Sequence, residues 1–136
     1  MSPLFMLDTN MASYIIRSAD QHVRRNLVAV PASKVAISVL TEAELRFGVA
    51  KRGNPANLVL AVGEFLQRVD VRPWTTRAAE IYGPMRAALE QAGTPLGALD
   101  TLIAAHALAE DAVLVTHDHA FARIPDLRLA DWTQPA

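Results

Sequence analysis

The chain has no cysteine, which excludes a disulfide framework, a cysteine-ligated zinc site and a thiol nucleophile. Aromatic residues amount to only 6%, too few for a platform on which a long single strand would stack its bases. An excess of charge of one sign is also missing. With 13 Lys+Arg against 14 Asp+Glu and a formal net charge of −1, the total describes no strongly basic nucleic-acid binder. Long apolar runs are absent too. Residues 1–7 are largely apolar but carry no basic residue and run directly into Asp8, too short for a membrane span and without the charged start of a secretory signal. The expectation is a cytoplasmic protein that engages no membrane. Repeats, low-complexity stretches and linkers are also missing.

What is present is 136 residues, 51% apolar and 20% charged, a composition that excludes a mainly disordered chain. The length suits one domain, residues 1–136, with a core of ordinary size. The near-zero charge hides a division. Residues 1–86 hold 11 Lys+Arg and 7 Asp+Glu, whereas residues 87–136 hold 2 and 7.

Short apolar segments alternate with amphipathic ones, the pattern of an α/β fold whose central sheet is mainly parallel. Strands are expected at 4–7, 35–38, 69–71, 112–115 and 127–129, five in all. Helices are expected at 11–17, 21–28, 40–51, 57–67, from Thr75 or Thr76 to residue 92, and at 98–109. Asp8-Thr9-Asn10 forms a polar turn suited to capping the first helix. Gly53-Asn54-Pro55 and Gly93-Thr94-Pro95 are stop signals. Gly83-Pro84 is expected to kink the long helix or end its first half.

Acids recur where such folds place function. Asp8 ends the first strand, Glu42 and Glu44 lie in the first turns of the helix after the second, Asp100 opens the helix after Gly97, and Thr116-His117-Asp118 follows the fourth strand. In open parallel sheets the carboxyl ends of the strands face one crevice, so Asp8 and Asp118 belong on one edge, and helix N-termini bring Glu44 and Asp100 to it. Each acid alone has an ordinary role as helix cap, solvated helix residue, dipole partner or turn residue. Together they form a set of like charges that a cation must compensate. Without cysteine or a spaced histidine pair, oxygen ligation of Mg²⁺ or Mn²⁺ suits the set better than zinc. Such an ion activates water and neutralises a phosphodiester in transition.

The blocks Phe5-Met6-Leu7-Asp8-Thr9-Asn10, residues 37–48 with Glu44-Leu45-Arg46-Phe47-Gly48, residues 93–107 around Asp100, and residues 114–127 followed by Asp131-Trp132 closely resemble the PIN-domain ribonucleases, specifically the VapC-type toxins of bacterial toxin–antitoxin pairs. They follow the family order over nearly the whole chain. The resemblance implies a PIN-like fold and a metal-dependent endoribonuclease in which Asp8, Glu44, Asp100 and Asp118 hold the metal. It selects Glu44 over Glu42, because the family's Glu-Leu-x-x-Gly block falls on Glu44. By the same resemblance Asn10 and Thr116 orient carboxylates or water. It implies a structured RNA such as tRNA as substrate, a homodimer, and a small antitoxin wrapped around the toxin. Tyr14, Ile15, Phe47 and Leu58, on the helices between residues 11 and 62, are candidates for the antitoxin's apolar seat.

An acid-lined site repels RNA unless basic residues hold the phosphates. Eleven of the 13 cations are arginine, which favours bidentate phosphate contacts, and Arg86 on the long helix is the candidate for one. Few aromatics and many arginines suit a folded RNA read through shape and backbone. His22, His106, His117 and His119 read as surface or packing residues outside the catalytic set. Two other readings remain open: a PIN-like module that binds without cleaving, and a Mg²⁺-dependent phosphoryl-transfer domain. The second wants a lysine after a late strand, whereas the only lysines are Lys34 and Lys51.

Overall fold

Five short strands, β1 (Phe5–Leu7), β2 (Val35–Ser38), β3 (Asp70–Arg72), β4 (Val113–Val115) and β5 (Leu129–Ala130), form one sheet in the order β3-β2-β1-β4-β5. The structure is a computed structural model and describes residues 3–18 and 20–135. Every strand pair is parallel. The mainly parallel sheet expected from the sequence is therefore wholly parallel.

Among the described residues six α-helices flank the sheet: α1 (Thr9–Arg17), α2 (Gln21–Val28), α3 (Val39–Lys51), α4 (Ala56–Arg68), α5 (Thr76–Gln91) and α6 (Ala98–Ala109). The two-residue periodicity of the strands divides the core. Leu7, Val35, Ile37 and Val115 face α1 to α4 and pack with Met11, Val23, Leu45, Val62 and Phe65. Met6 and Leu114 face the other way, onto Leu89 of α5, Ile103, Ala104 and Ala107 of α6, and Phe121. Each fully buried aliphatic or aromatic side chain contributes roughly 1.5–3 kcal/mol. The alanines of α6 let that helix lie close to the sheet.

Several boundaries differ from the sequence expectation for identifiable reasons. Asp8 itself is the cap of α1, its side chain accepting from the Met11 N–H, so Thr9 and Asn10 belong to the first helical turn. β3 lies one residue later than expected because it is an edge strand, where Asp70 and Arg72 remain partly in water. β5, expected at 127–129, is likewise displaced to Leu129–Ala130, beyond the turn at Asp126, whose φ is 67°. Helix α5 does not end at Gly83-Pro84 but runs on to Gln91. Pro84 and Glu80 are both exposed, so water serves the carbonyl that loses its helical N–H partner. Gly53 and Gly93 do stop α3 and α5, each at positive φ (82° and 73°) one residue past the cap, a conformation glycine adopts without a Cβ penalty. Among the described residues no helix is long and apolar enough to cross a membrane.

Candidate metal centre

In the strand order, β1 connects to β2 on one side and neighbours β4 on the other. The crevice at the carboxyl ends of β1 and β4 is therefore the switch point at which parallel sheets bind ligands. The β1–β4 register pairs Leu7 with Val115, which sets Asp8 beside Thr116. Asp8 is 4% exposed, and both its carboxylate oxygens are occupied. Oδ1 accepts from the Met11 N–H at 2.8 Å and Oδ2 from the Thr116 hydroxyl at 2.6 Å. The same hydroxyl accepts the Asp118 N–H at 3.0 Å. Asp118 then caps the 3₁₀ turn His119–Arg123, its Oδ1 accepting from the Ala120 N–H at 2.9 Å. Asp100 arrives from the first turn of α6 and is half-buried.

These three acids feel one another. Burial raises the Asp8 carboxyl above its ordinary value, the bonds from Thr116 and Met11 oppose the rise, and the charges of Asp100 and Asp118 add to it. Asp100 is raised by burial and then by Asp118. Glu44 stands apart, exposed on α3, where it shares the lining of a groove with Thr9 and Asn10. Glu42 is engaged by Arg46, whose Nε donates to it at 2.7 Å.

Among the described residues no three Asp, Glu or His side chains stand close enough to enclose an ion by themselves. Among the described residues none of the Asp8, Glu44, Asp100 and Asp118 carboxylates is ion-paired with a basic side chain, and burial and mutual charge raise two of them. An open all-oxygen set of this kind fits a hard divalent ion that keeps much of its own water, and does not fit zinc.

The remaining sequence candidates are dispersed. Asn10 is exposed and, among the described residues, hydrogen-bonds none of the acids. Arg86 is held on its own helix, donating to Glu90 at 3.1 Å and to the Tyr82 hydroxyl at 2.8 Å. It borders a small hollow with Pro95, Leu96 and Thr101. His117 and His119 are exposed, and His106 is fully buried. Three relationships were not legible in the sequence. His117 Nδ1 lies 2.8 Å from Asp131 and 3.1 Å from the Thr133 hydroxyl, which joins the loop after β4 to the C-terminal segment. The Thr9 and Thr41 hydroxyls meet at 3.4 Å, linking the helices that carry Asp8 and Glu44. Ser38 caps α3 through the Leu40 N–H. The Asp-Thr-Asn and Ser-x-x-Thr sequences were the signals, but only the β1–β2 pairing brings them together.

The fold and its acid-lined switch point define a PIN domain, and the sequence profile of that family matches residues 5–127. The chain is 37% identical over 129 residues to the tRNA(fMet)-specific endonuclease VapC of Salmonella typhimurium, covering 94% of this chain and 97% of that one. It is 37% identical over 131 residues to ribonuclease VapC2 of Rickettsia felis, covering 95% and 98%. The DNA-bound VapBC complex from Salmonella typhimurium superposes with a TM-score of 0.89 at 36% identity, over 96% of this chain and 99% of that chain. The chain belongs to the VapC ribonucleases.

Proposed function

We propose that this chain is an endoribonuclease that depends on Mg²⁺ or Mn²⁺ and serves as the toxin of a toxin–antitoxin pair. The observation that supports it most is the convergence of Asp8, Asp100 and Asp118 on one sheet edge, with the Asp8 and Asp100 carboxyls raised by burial and by neighbouring charge. Asp8, Asp100 and Asp118 would hold the ion, with Glu44 joining them from the edge of the adjoining groove. Bound there, the ion would supply positive charge for the phosphodiester and a water of lowered pKa. The chain's own groups do the rest. Thr116 and the Met11 N–H fix both oxygens of Asp8, and Thr116 sets the backbone of Asp118. A carboxylate beside the ion is positioned to take a proton from the attacking water. Hydrolysis by water requires no covalent bond to the chain.

A structured RNA, tRNA in particular, is the substrate this reading assigns, supported by the relative named as a tRNA(fMet)-specific endonuclease. The partner is a cognate antitoxin, supported by the likeness to VapBC complexes. Its apolar seat needs revision. Tyr14, Ile15 and Leu58 pack partly buried against the core, and of the four candidates only Phe47, 58% exposed, projects freely. Leu60, Val59 and Val28 are exposed as well, and a groove of about 460 Å³ bounded by Ile15, Leu27, Val30 and Phe65 lies between α1, α2 and α4. A cytoplasmic homodimer completes the proposal.

The test is to incubate the purified chain, free of antitoxin, with total tRNA in the presence and absence of Mg²⁺ or Mn²⁺, alongside Asp8→Asn and Glu44→Gln. Metal-dependent cleavage lost in both variants is the expected result. Unchanged cleavage by Asp8→Asn would overturn the site assignment, and binding without cleavage would favour a module that only holds RNA.

A further inference from the structure

Beside the acids, α1, α3 and α4 enclose an open groove of about 190 Å³ whose lining includes Asn10, Arg17, Glu44, Gly48 and Arg52. We propose that this groove binds the sugar–phosphate backbone of the RNA next to the scissile bond, with Arg17 and Arg52 contacting its phosphates. The inference rests on the ribonuclease reading above and extends it to a specific track.

Position is the first argument. Asn10 is two residues from Asp8, and Glu44 is one of the proposed metal ligands, so a strand leaving the acids along this side enters the groove directly. Charge is the second. Arg46, Arg72, Arg86 and Arg128 are each ion-paired with a carboxylate, whereas among the described residues Arg17 and Arg52 are not. Among the described residues Arg17 bonds only the Ser13 carbonyl, through Nε, and lies over the Tyr14 ring, with no partner for its terminal nitrogens. Two unpaired guanidinium groups flanking carboxylates offset the repulsion that the acids exert on RNA.

Gly48 is the third argument. It lies within α3, where glycine is the poorest helix former after proline, yet a Cβ built there meets nothing within 4 Å. No packed neighbour demands a glycine. Its missing side chain instead keeps the groove open. Among the described residues no aromatic side chain lines the groove, so it offers bases nothing to stack on and suits backbone rather than base recognition.

The test compares wild type with Arg17→Ala, Arg52→Ala, their combination, and Gly48→Leu. Binding of fluorescein-labelled tRNA(fMet) is read by anisotropy in EDTA, and KM and kcat for its cleavage are read with Mg²⁺ over a range of salt. Each arginine variant is expected to weaken binding and raise KM about tenfold, with kcat within about twofold of wild type. The slope of log KM against log salt falls by about 0.7 for each phosphate that the variant leaves without its guanidinium partner. Gly48→Leu raises KM at least as much, with an unfolding temperature equal to or above that of wild type. Unchanged affinity, KM and salt slope would overturn the inference, as would variants that keep RNA affinity and lose only a protein partner. A wild type that binds RNA in this groove but cleaves nothing would overturn the proposed function and leave the track standing.

Discussion

The Thr116 hydroxyl donates a 2.6 Å hydrogen bond to Asp8 Oδ2 and accepts the Asp118 backbone N–H at 3.0 Å, so one side chain connects the acids that end β1 and follow β4. Thr116 and Asp8 are 108 positions apart, and the parallel register of β1 with β4 makes them neighbours.

Replacing that hydroxyl with a methyl group tests the connection. Thr116→Val leaves a buried Asp8 oxygen and the Asp118 N–H without a partner, which costs about 1–3 kcal/mol of stability. It also removes a bond that holds the Asp8 carboxyl down, so the acid limb of the cleavage pH profile moves to higher pH and the rate falls about 10–100-fold. Thr116→Ser restores both. Urea denaturation and a pH–rate profile measure the two effects separately.

Asp100 is a liability in the metal-free protein. Its folded-state pKa lies above the ordinary 3.8, so the stabilisation from its native environment is complete below that pH and is lost as pH rises through the raised value. At pH 7.5 Asp100→Asn therefore raises the unfolding temperature by about 2 °C, and the gain disappears near pH 4. Divalent cation reverses the order: at about 100 times its dissociation constant it stabilises wild type by about 2.7 kcal/mol and the variant by much less. Thermal unfolding with and without Mg²⁺ reads both.

His106 acts in the opposite direction. It is fully buried, neither ring nitrogen has a hydrogen-bond partner among the described residues, and Glu110 Oε1 stands 3.7 Å from Nε2, beyond bonding reach. Burial is the largest influence and lowers its pKa below 6.5. The Glu110 charge works against burial, Arg72 lowers the value further, and the Pro73 backbone opposes the fall more weakly. Stability from the neutral ring is thus present above pH 6.5 and declines as pH falls through the lowered value. His106→Leu flattens the stability profile between pH 7 and 5, measured by urea midpoints.

Much of the fold is readable because buried parallel strands are continuous apolar runs. Phe5-Met6-Leu7 and Val35-Ala36-Ile37 could be placed to within a residue for that reason. Edge strands carry less information, so Asp70 and Arg72 inside β3 and the two-residue β5 were displaced. Gly83-Pro84 does not end α5 because its lost hydrogen bond falls on exposed helix. For the site, chain order sufficed to place Asp8 and Asp118 on one edge, since each follows a strand. It could not separate Glu42 from Glu44, and it could not show that Arg46 engages the first while the second lines the groove. Nor could it show that Arg86 is tied to Tyr82 and Glu90, because such bonds depend on rotamers rather than on sequence pattern.

The most direct test of the metal-centred account is the single-turnover rate of RNA cleavage as Mn²⁺ is titrated into the metal-free protein, for wild type and Asp8→Asn. Asparagine caps helices as well as aspartate, so α1 survives the substitution. The account predicts a rate that rises from zero to saturation for wild type and stays at baseline for the variant at every concentration. Cleavage by wild type in EDTA, or a rising curve for Asp8→Asn matching that of wild type, would contradict it.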